Sequence, residues 1–320
     1  MSLLTIGIPT YNRGEILKAT LNKILPICLQ YEVEILVADD GSTDGTYEML
    51  KQFESYKNFK IIKNSTNLGF DRNTVNLFNL AKSKFLWLFG DDDDLDIGQL
   101  KNILELLNSN KQVGLFYVDY RVLEEGAASL NSNTPLTYDE IDQQVYADRY
   151  LHFATFISTN IFNMDYYKKI KFNSDCISKE WIHFHVLLAY MHLLYKLGIK
   201  NIAIKDKVVR YRAGNSNYSF KRWEELFVDK IIFTLDHTET GNLRFQGFRR
   251  NFFRLNILQR FFKAGKDYTI GDCFRFYGSV LRKYRPAFYY KILFFFVTFM
   301  SKIFGYSTLK NIKMFFAKKK

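Results

Sequence analysis

Cysteine is nearly absent: the 320 residues contain three, Cys28, Cys176 and Cys273. Their odd number and lack of metal-ligand spacing argue against a disulfide framework and for packing roles in a reducing compartment. Proline is held to four residues, and with 48% hydrophobic and 24% charged residues the composition is globular rather than disordered. No apolar run is long enough to cross a bilayer. The strongest, Ile292 to Met300, is closed by Lys291 and Lys302, whereas a spanning helix needs about 20 residues. Met1 to Pro9 offers neither a basic leader nor a long apolar segment, so a cleaved signal is not expected. No internal repeat is evident. Acidic residues are scarce in one place: from Gly241 to Lys320 there are eighteen Lys and Arg against only Asp267 and Asp272. That segment carries +16 and the remainder −4. A boundary near residues 213 to 240 follows from the asymmetry.

Aromatic side chains, by contrast, are abundant, with 31 Phe and 21 Tyr. The stretch that organises the chain is Phe85 to Asp96, FLWLFGDDDDLD, an apolar run that stops at Gly90 before four consecutive aspartates. Such a run reads as a strand buried on both faces. Leu3 to Ile8, Glu34 to Ala38, Phe59 to Lys63 and Val113 to Val118 read as further strands. Helical spacing recurs from Glu15, over Thr46 to Phe53, Asn73 to Ala81 and Ile97 to Leu107. Strands alternating with helices predict an α/β fold with a doubly wound, mostly parallel sheet. Residues 119–150 are polar and poorly periodic, Thr155 to Phe162 is read as re-entering the sheet, Trp181 to Leu197 as an apolar helix, and Ile202 to Tyr211 as a strand.

The turns at Pro9, Asp39 and Asp91 all follow strands, so they can converge at one sheet edge, where open α/β sheets bind ligands. Adjacent carboxylates repel unless a cation lies among them, and hard oxygen ligands on a tight turn suit Mg²⁺ or Mn²⁺. The alternative is a solvated acidic loop capping the next helix.

In these turns the segments IGIPTYNR (6–13), VADDGSTDGT (37–46), NLGFDRN (67–73) and FGDDDD (89–94) resemble family 2 glycosyltransferases of the GT-A fold. The resemblance runs over residues 3–215 and is strongest up to Leu107; the GDDD variant is similar to bacterial enzymes of O-antigen or capsule synthesis, including abequosyltransferase-like proteins. It implies a nucleotide-sugar donor. Pro9, Thr10 and Tyr11 would line the base pocket, Asp39 would meet the nucleobase, and Asp40 would lie beside base or ribose. Arg72 would approach the diphosphate, or else pair on the surface with Asp71. Asp91 and Asp93 correspond to the D-x-D pair that meets ribose and metal, with Asp92 beside the nucleotide. Asp92 and Asp94 leave the register open by one residue. A divalent Mn²⁺ or Mg²⁺ would offset the charge that develops on the leaving nucleoside diphosphate.

Family members place the acceptor's general base on a Glu-Asp motif, and the matching place here reads Ser178-Lys179-Glu180-Trp181-Ile182-His183, without the second acid. Glu180 is the expected base, His183 the next choice and Asp175 a third; a helix-terminal carboxylate is the structural alternative for Glu180. Arg212 and Tyr218 resemble part of a loop that folds over the donor diphosphate, the alternative being a strand end with surface arginines. These assignments divide the chain into a catalytic domain over 1–215 and a basic helical region over 216–320. The former has a nucleotide-sugar-binding half to residue 110 and an acceptor half from 111.

The basic region has no counterpart in the family core. Basic residues interleaved with Phe, Tyr and Leu suit a helix lying in the interface of an anionic membrane. Docking on the catalytic domain or a homodimer is the alternative; nucleic acid is not expected, since no RNA-binding signature accompanies the charge. The expectation is thus a bacterial, metal-dependent, inverting glycosyltransferase on the inner face of the plasma membrane, with a lipid-linked saccharide as acceptor. A nucleotide-binding module without activity and a nucleotidyltransferase are the other classes considered. PTYNR lacks the Gly-rich basic loop usual in the latter.

Overall fold

In the computed structural model, residues 2–122, 132–154, 156–170, 182–211, 230–231, 234–235, 242–252 and 278 are described. The first half is a parallel sheet. Strands β1 (Leu4–Thr10), β2 (Glu34–Asp39), β3 (Phe59–Lys63) and β4 (Phe85–Leu88) line up as β3-β2-β1-β4 with every pairing parallel. Every residue of β1, β2 and β4 is buried. That is why their sequences run apolar rather than alternating: helices cover both faces. Helix α1 (Gly14–Gln30) turns Leu17, Leu21, Ile24, Leu25 and Cys28 inward at helical spacing. Each buried aliphatic side chain of this kind stabilises the fold by about 1.5–3 kcal/mol. Helices α2 (Thr46–Leu50), α3 (Phe70–Leu80) and α4 (Leu100–Ser109) follow β2, β3 and the acidic turn in chain order.

Two of these elements differ from the expected bounds. Helix α3 starts three residues before Asn73, because Gly69 takes φ +87° and lets the chain turn directly into the helix. The Thr46–Phe53 and Ile97–Leu107 segments each contain a 3₁₀ turn, over Lys51–Phe53 and Ile97–Gln99.

The second half of the sheet is mixed. Strand β6 (Leu115–Val122) lies antiparallel to β8 (Asn160–Asn163), which inserts antiparallel against β4. Strand β9 (Asn201–Tyr211) runs parallel to β6 and carries two antiparallel partners, β7 (Tyr138–Ile141) and the two-residue β5 (Asp94–Leu95). The sheet order is therefore β3-β2-β1-β4-β8-β6-β9-β5, with β7 on β9. Thr155 to Phe162 re-enters the sheet only from Asn160. Its preceding turn, Ile157–Thr159, delivers Ser158 to the tip of β4. Trp87 holds that turn in place, its indole N–H donating to the Ser158 carbonyl at 2.9 Å while its ring packs edge-on against Phe89. Helix α5 (Gln143–Arg149) and the short α6 (Met164–Tyr167) precede the apolar α7 (Ile182–Lys196).

The chain divides into two units. The larger comprises Met1–Tyr146, Phe153–Asn217 and His237–Leu243; the smaller comprises Ala147–His152, Tyr218–Asp236 and Arg244–Lys320. In the smaller unit, a helix over Gln246–Phe252 stacks Phe248 on Phe252 at 5.3 Å, and Asn251 donates to the Asp148 carbonyl at 2.9 Å. No helix among the described residues is long and apolar enough to cross a membrane.

Candidate active site

The four aspartates occupy the turn that β4 enters, and each has a different environment. Asp91 is 6% exposed and anchored three ways. Thr10 Oγ1 at the end of β1 donates to its Oδ2 at 2.9 Å, Arg13 Nη1 lies 3.0 Å from its Oδ1, and Thr20 Oγ1 on α1 donates to its backbone carbonyl at 2.8 Å. Arg13 also spans to the next residue, with Nη2 2.6 Å from Asp92 Oδ2. Asp94 is held by Lys23 of α1 on one oxygen and by Arg210 of β9 on the other, inside the β5–β9 pairing where Asp94 faces Arg210. These ion pairs tie Asp94 to α1 and β9.

Asp93 is the exception. Its Oδ2 accepts from Ser158 Oγ, whose own lone pair accepts from the Gly90 N–H at 2.8 Å. Its Oδ1 is buried and has no hydrogen-bond partner. A side chain at position 90 would not fit beside this arrangement: a Cβ there would lie 2.9 Å from Asp93 Cγ and closer still to Oδ2. Burial pushes the Asp93 carboxyl up to about 8, against the Ser158 hydrogen bond that favours the ionised form. Burial also raises Asp91, to about 6, with Arg13 acting in the opposite direction. A buried carboxylate with an unanswered oxygen is costly unless something binds there.

The other turns sit on the adjoining strands. Asp39, fully buried at the end of β2, takes the Ser42 N–H at 3.2 Å and the Ser42 hydroxyl on Oδ1, while its Oδ2 has no partner. Asp40, expected beside base or ribose, has both oxygens engaged by the next loop. Asn64 Nδ2 and the Leu68 N–H reach Oδ1 at 2.9 Å each, and the Gly69 N–H reaches Oδ2 at 2.8 Å. It thereby fixes the turn that starts α3, on whose first turn Arg72 is exposed. Pro9 and Thr10 are buried, and Tyr11 presents its ring to solvent at 41% exposure. Asn12 ties the first turn to the second: its N–H donates to Ser42 Oγ at 2.9 Å, and its Oδ1 accepts from the Thr43 N–H at 2.8 Å.

Glu180, Asp175, Arg212 and Tyr218 lie outside the described residues; His183 falls in α7, with its side chain outside them. Arg13, Lys23 and Ser158 are residues around the acidic turn that sequence reasoning missed, and Arg210, which stands in the stretch likened to the diphosphate loop, pairs with Asp94. Arg13 was in view as the last letter of PTYNR, and only its carboxylate partners, 78 and 79 positions away, reveal its role.

Among the described residues, no group of three or more His, Cys, Asp or Glu is arranged as a metal site. A divalent cation still fits this turn chemically. Mg²⁺ commonly takes one or two protein carboxylates and completes its shell with substrate phosphates and water. The unpartnered Asp93 Oδ1 is a hard oxygen of that kind.

The profile of glycosyl transferase family 2 matches residues 5–170. The abequosyltransferase RfbV of Salmonella typhimurium is 29% identical over 201 residues, covering 58% of this chain and 60% of that protein. The match thus spans less than two thirds of that relative's length. Among solved structures, residues 1–349 of Staphylococcus aureus TarS align with a TM-score of 0.60 at 15% identity, covering 88% of this chain and 81% of that one. The same TarS fragment has been solved with UDP and with UDP-GlcNAc. The mannosyltransferase PcManGT from Pyrobaculum calidifontis, in complex with GDP-Man and Mn²⁺, aligns at 0.57 with 12% identity, over 94% of this chain and 87% of that one. At these identities the structures speak for the GT-A fold. The match to the family profile, across more than half the chain, goes further: this protein belongs to glycosyl transferase family 2.

Proposed function

We propose that the protein transfers one sugar from a nucleotide-sugar donor to a saccharide acceptor in bacterial surface polysaccharide synthesis, with inversion at the anomeric carbon. The observation that carries this reading is the buried, unpartnered Asp93 Oδ1 at the tip of β4, beside the turns that end β1 and β2. Solved structures of the same fold support the donor class: the TarS fragment holds UDP or UDP-GlcNAc, and PcManGT holds GDP-Man with Mn²⁺.

In this reading Asp39 turns its free Oδ2 to a nucleobase N–H, and Tyr11 offers its exposed ring for stacking. Asp91, fixed by Thr10 and the Thr20 anchor, is placed for ribose or cation. Asp93, steered by Ser158, would offer its Oδ1 to a divalent cation. Once bound, Mn²⁺ or Mg²⁺ supplies positive charge to the departing diphosphate. Arg72 and Arg212 add fixed charge on the phosphate side, with Tyr218 adding a hydroxyl. Glu180, or His183 in its place, accepts the acceptor hydroxyl proton.

The acceptor is lipid-linked, and the enzyme works from the cytoplasmic face of the membrane, drawn there by the +16 segment from Gly241 onward. The test is a panel of nucleotide sugars screened by thermal shift with Mn²⁺, followed by sugar release with and without acceptor. Asp93→Asn should abolish Mn²⁺-dependent nucleotide binding and transfer while leaving the melting cooperative. Full activity of that variant in chelator would end the metal assignment.

A further inference from the structure

The acidic turn carries its own cation, and that cation sits where an incoming one must act. Arg13 bridges Asp91 Oδ1 and Asp92 Oδ2 at 3.0 and 2.6 Å. It does so from the residue preceding α1, whose backbone carbonyl accepts from the Leu17 N–H at 3.0 Å. Lys23 and Arg210 on Asp94 belong to packed elements, and the Arg210 side chain is only 4% exposed. The Arg13 side chain is 30% exposed, so its head can leave the carboxylates while its backbone stays fixed. Apart from Arg13, Asp91 takes its side-chain donor from the Thr10 hydroxyl and Asp93 from the Ser158 hydroxyl.

Guanidinium is also the side chain best shaped to grip a diphosphate, through paired N–H donors. A divalent ion places twice the charge nearer to the carboxylate oxygens than an arginine N–H can. Resting on the proposed cation and diphosphate chemistry of this turn, we infer that Arg13 is an exchangeable counter-ion. It closes on Asp91 and Asp92 in the nucleotide-free enzyme and moves to the diphosphate when Asp91 and Asp93 engage the cation. Arg13 is a positioning residue in the empty site and a donor-binding residue in the filled one. The cation and the nucleotide therefore bind cooperatively, because each removes what blocks the other. The cation alone must compete with a resident charge.

Electron paramagnetic resonance of Mn²⁺, titrated with the full chain alone and with each of UDP, CDP and GDP, reads this directly. Wild type should bind Mn²⁺ weakly alone and about tenfold or more tightly with the nucleotide it accepts. Arg13→Gln should bind Mn²⁺ alone about tenfold more tightly than wild type, and the nucleotide should add little further. Arg13→Lys, which keeps a charge that cannot span both carboxylates, should fall between them and covers the case in which the glutamine variant folds poorly. A merely structural arginine predicts the opposite sign, since its loss would loosen the turn and weaken Mn²⁺ binding. If folded Arg13 variants bind Mn²⁺ alone no better than wild type, the exchange is overturned while the cation site stands. If wild type takes up no Mn²⁺ with any nucleotide, the cation reading falls and the exchange with it.

Discussion

Gly90→Ala should disable the candidate site without disturbing the fold, and the reason is a single side chain's placement. Gly90 is not among the positive-φ glycines, so alanine meets no left-handed backbone strain there. What it meets is Asp93: the new Cβ would lie 2.9 Å from Cγ and nearer to Oδ2, inside the distance that real Cβ contacts reach. The carboxylate must rotate away, and the Ser158 hydrogen bond to Oδ2 is lost. A hydrogen bond to a charged group contributes about 1.5–3 kcal/mol. If all of it is needed to aim Oδ1, Mn²⁺-nucleotide affinity falls about 10- to 150-fold, at 1.4 kcal/mol per tenfold. Isothermal titration of Mn²⁺ with the accepted nucleotide measures that loss. Ser158→Ala should lose a similar amount by freeing the same oxygen. Because both changes act through one rotamer, the double variant should be little worse than Gly90→Ala alone. Losses that add, or an alanine variant that binds as wild type does, would refute the argument that Asp93 is aimed.

Acidity supplies a second expectation. Burial raises Asp93 to about 8 and Asp91 to about 6, above the ordinary 3.8, so between those values the folded chain holds protons that the unfolded chain has released. Metal-free stability should then fall as pH rises from about 4 to about 8; Asp93→Asn should flatten the upper part of the fall in thermal melts, and a wild-type profile rising across that window contradicts the burial assignment. Asp94→Asn breaks a buried pairing with Arg210 and Lys23 and should cost about 3–5 kcal/mol in denaturant unfolding; Asp93→Asn should cost nothing comparable. Glu180→Gln should retain donor binding and lose about 10²- to 10⁴-fold in turnover; if it stays active while His183→Ala is dead, the base is the histidine. Removing residues 286–320 should weaken pelleting with anionic liposomes, and full-length binding should weaken at high salt; equal binding of both forms to neutral and anionic vesicles excludes the electrostatic part.

The parallel half of the sheet was legible because three of its four strands are buried on both faces and its helices repeat apolar residues at helical spacing. Phe59 to Lys63 matches β3 residue for residue. The mixed half was not. Strand β7 exposes Tyr138, Asp139 and Glu140 and buries only Ile141, so no apolar pattern marks it. Strand β5 consists of Asp94 and Leu95, and an aspartate in a run of four reads as turn rather than ladder. The site divides along a similar line. Residues on the turns after strands were visible because turn chemistry is local. Ser158 and Arg13 were not, since each acts on a carboxylate 65 or more positions away and lies in no charge pattern of its own. Asp40 adds a task that its motif does not announce: its oxygens hold the loop before α3.

A run of four aspartates looks like one feature in a sequence, and the fold treats it as four. A solvated acidic loop would leave such side chains in water, yet Asp91, Asp93 and Asp94 are buried. Their described cationic contacts come from three separate elements: Arg13 before α1, Lys23 within it, and Arg210 on β9. Among the described residues, Asp93 is the one of the four with no ion pair to these three groups, and burial raises its carboxyl to about 8. Compensating the neighbours makes a single buried carboxyl tolerable at the tip of β4, and in the proposed reading its unpartnered oxygen is the one offered to a cation. Asp93→Asn and Asp94→Asn, one residue apart, should therefore fail in different ways: in the proposed reading the first removes the oxygen offered to a cation, and the second removes the charge that holds the frame.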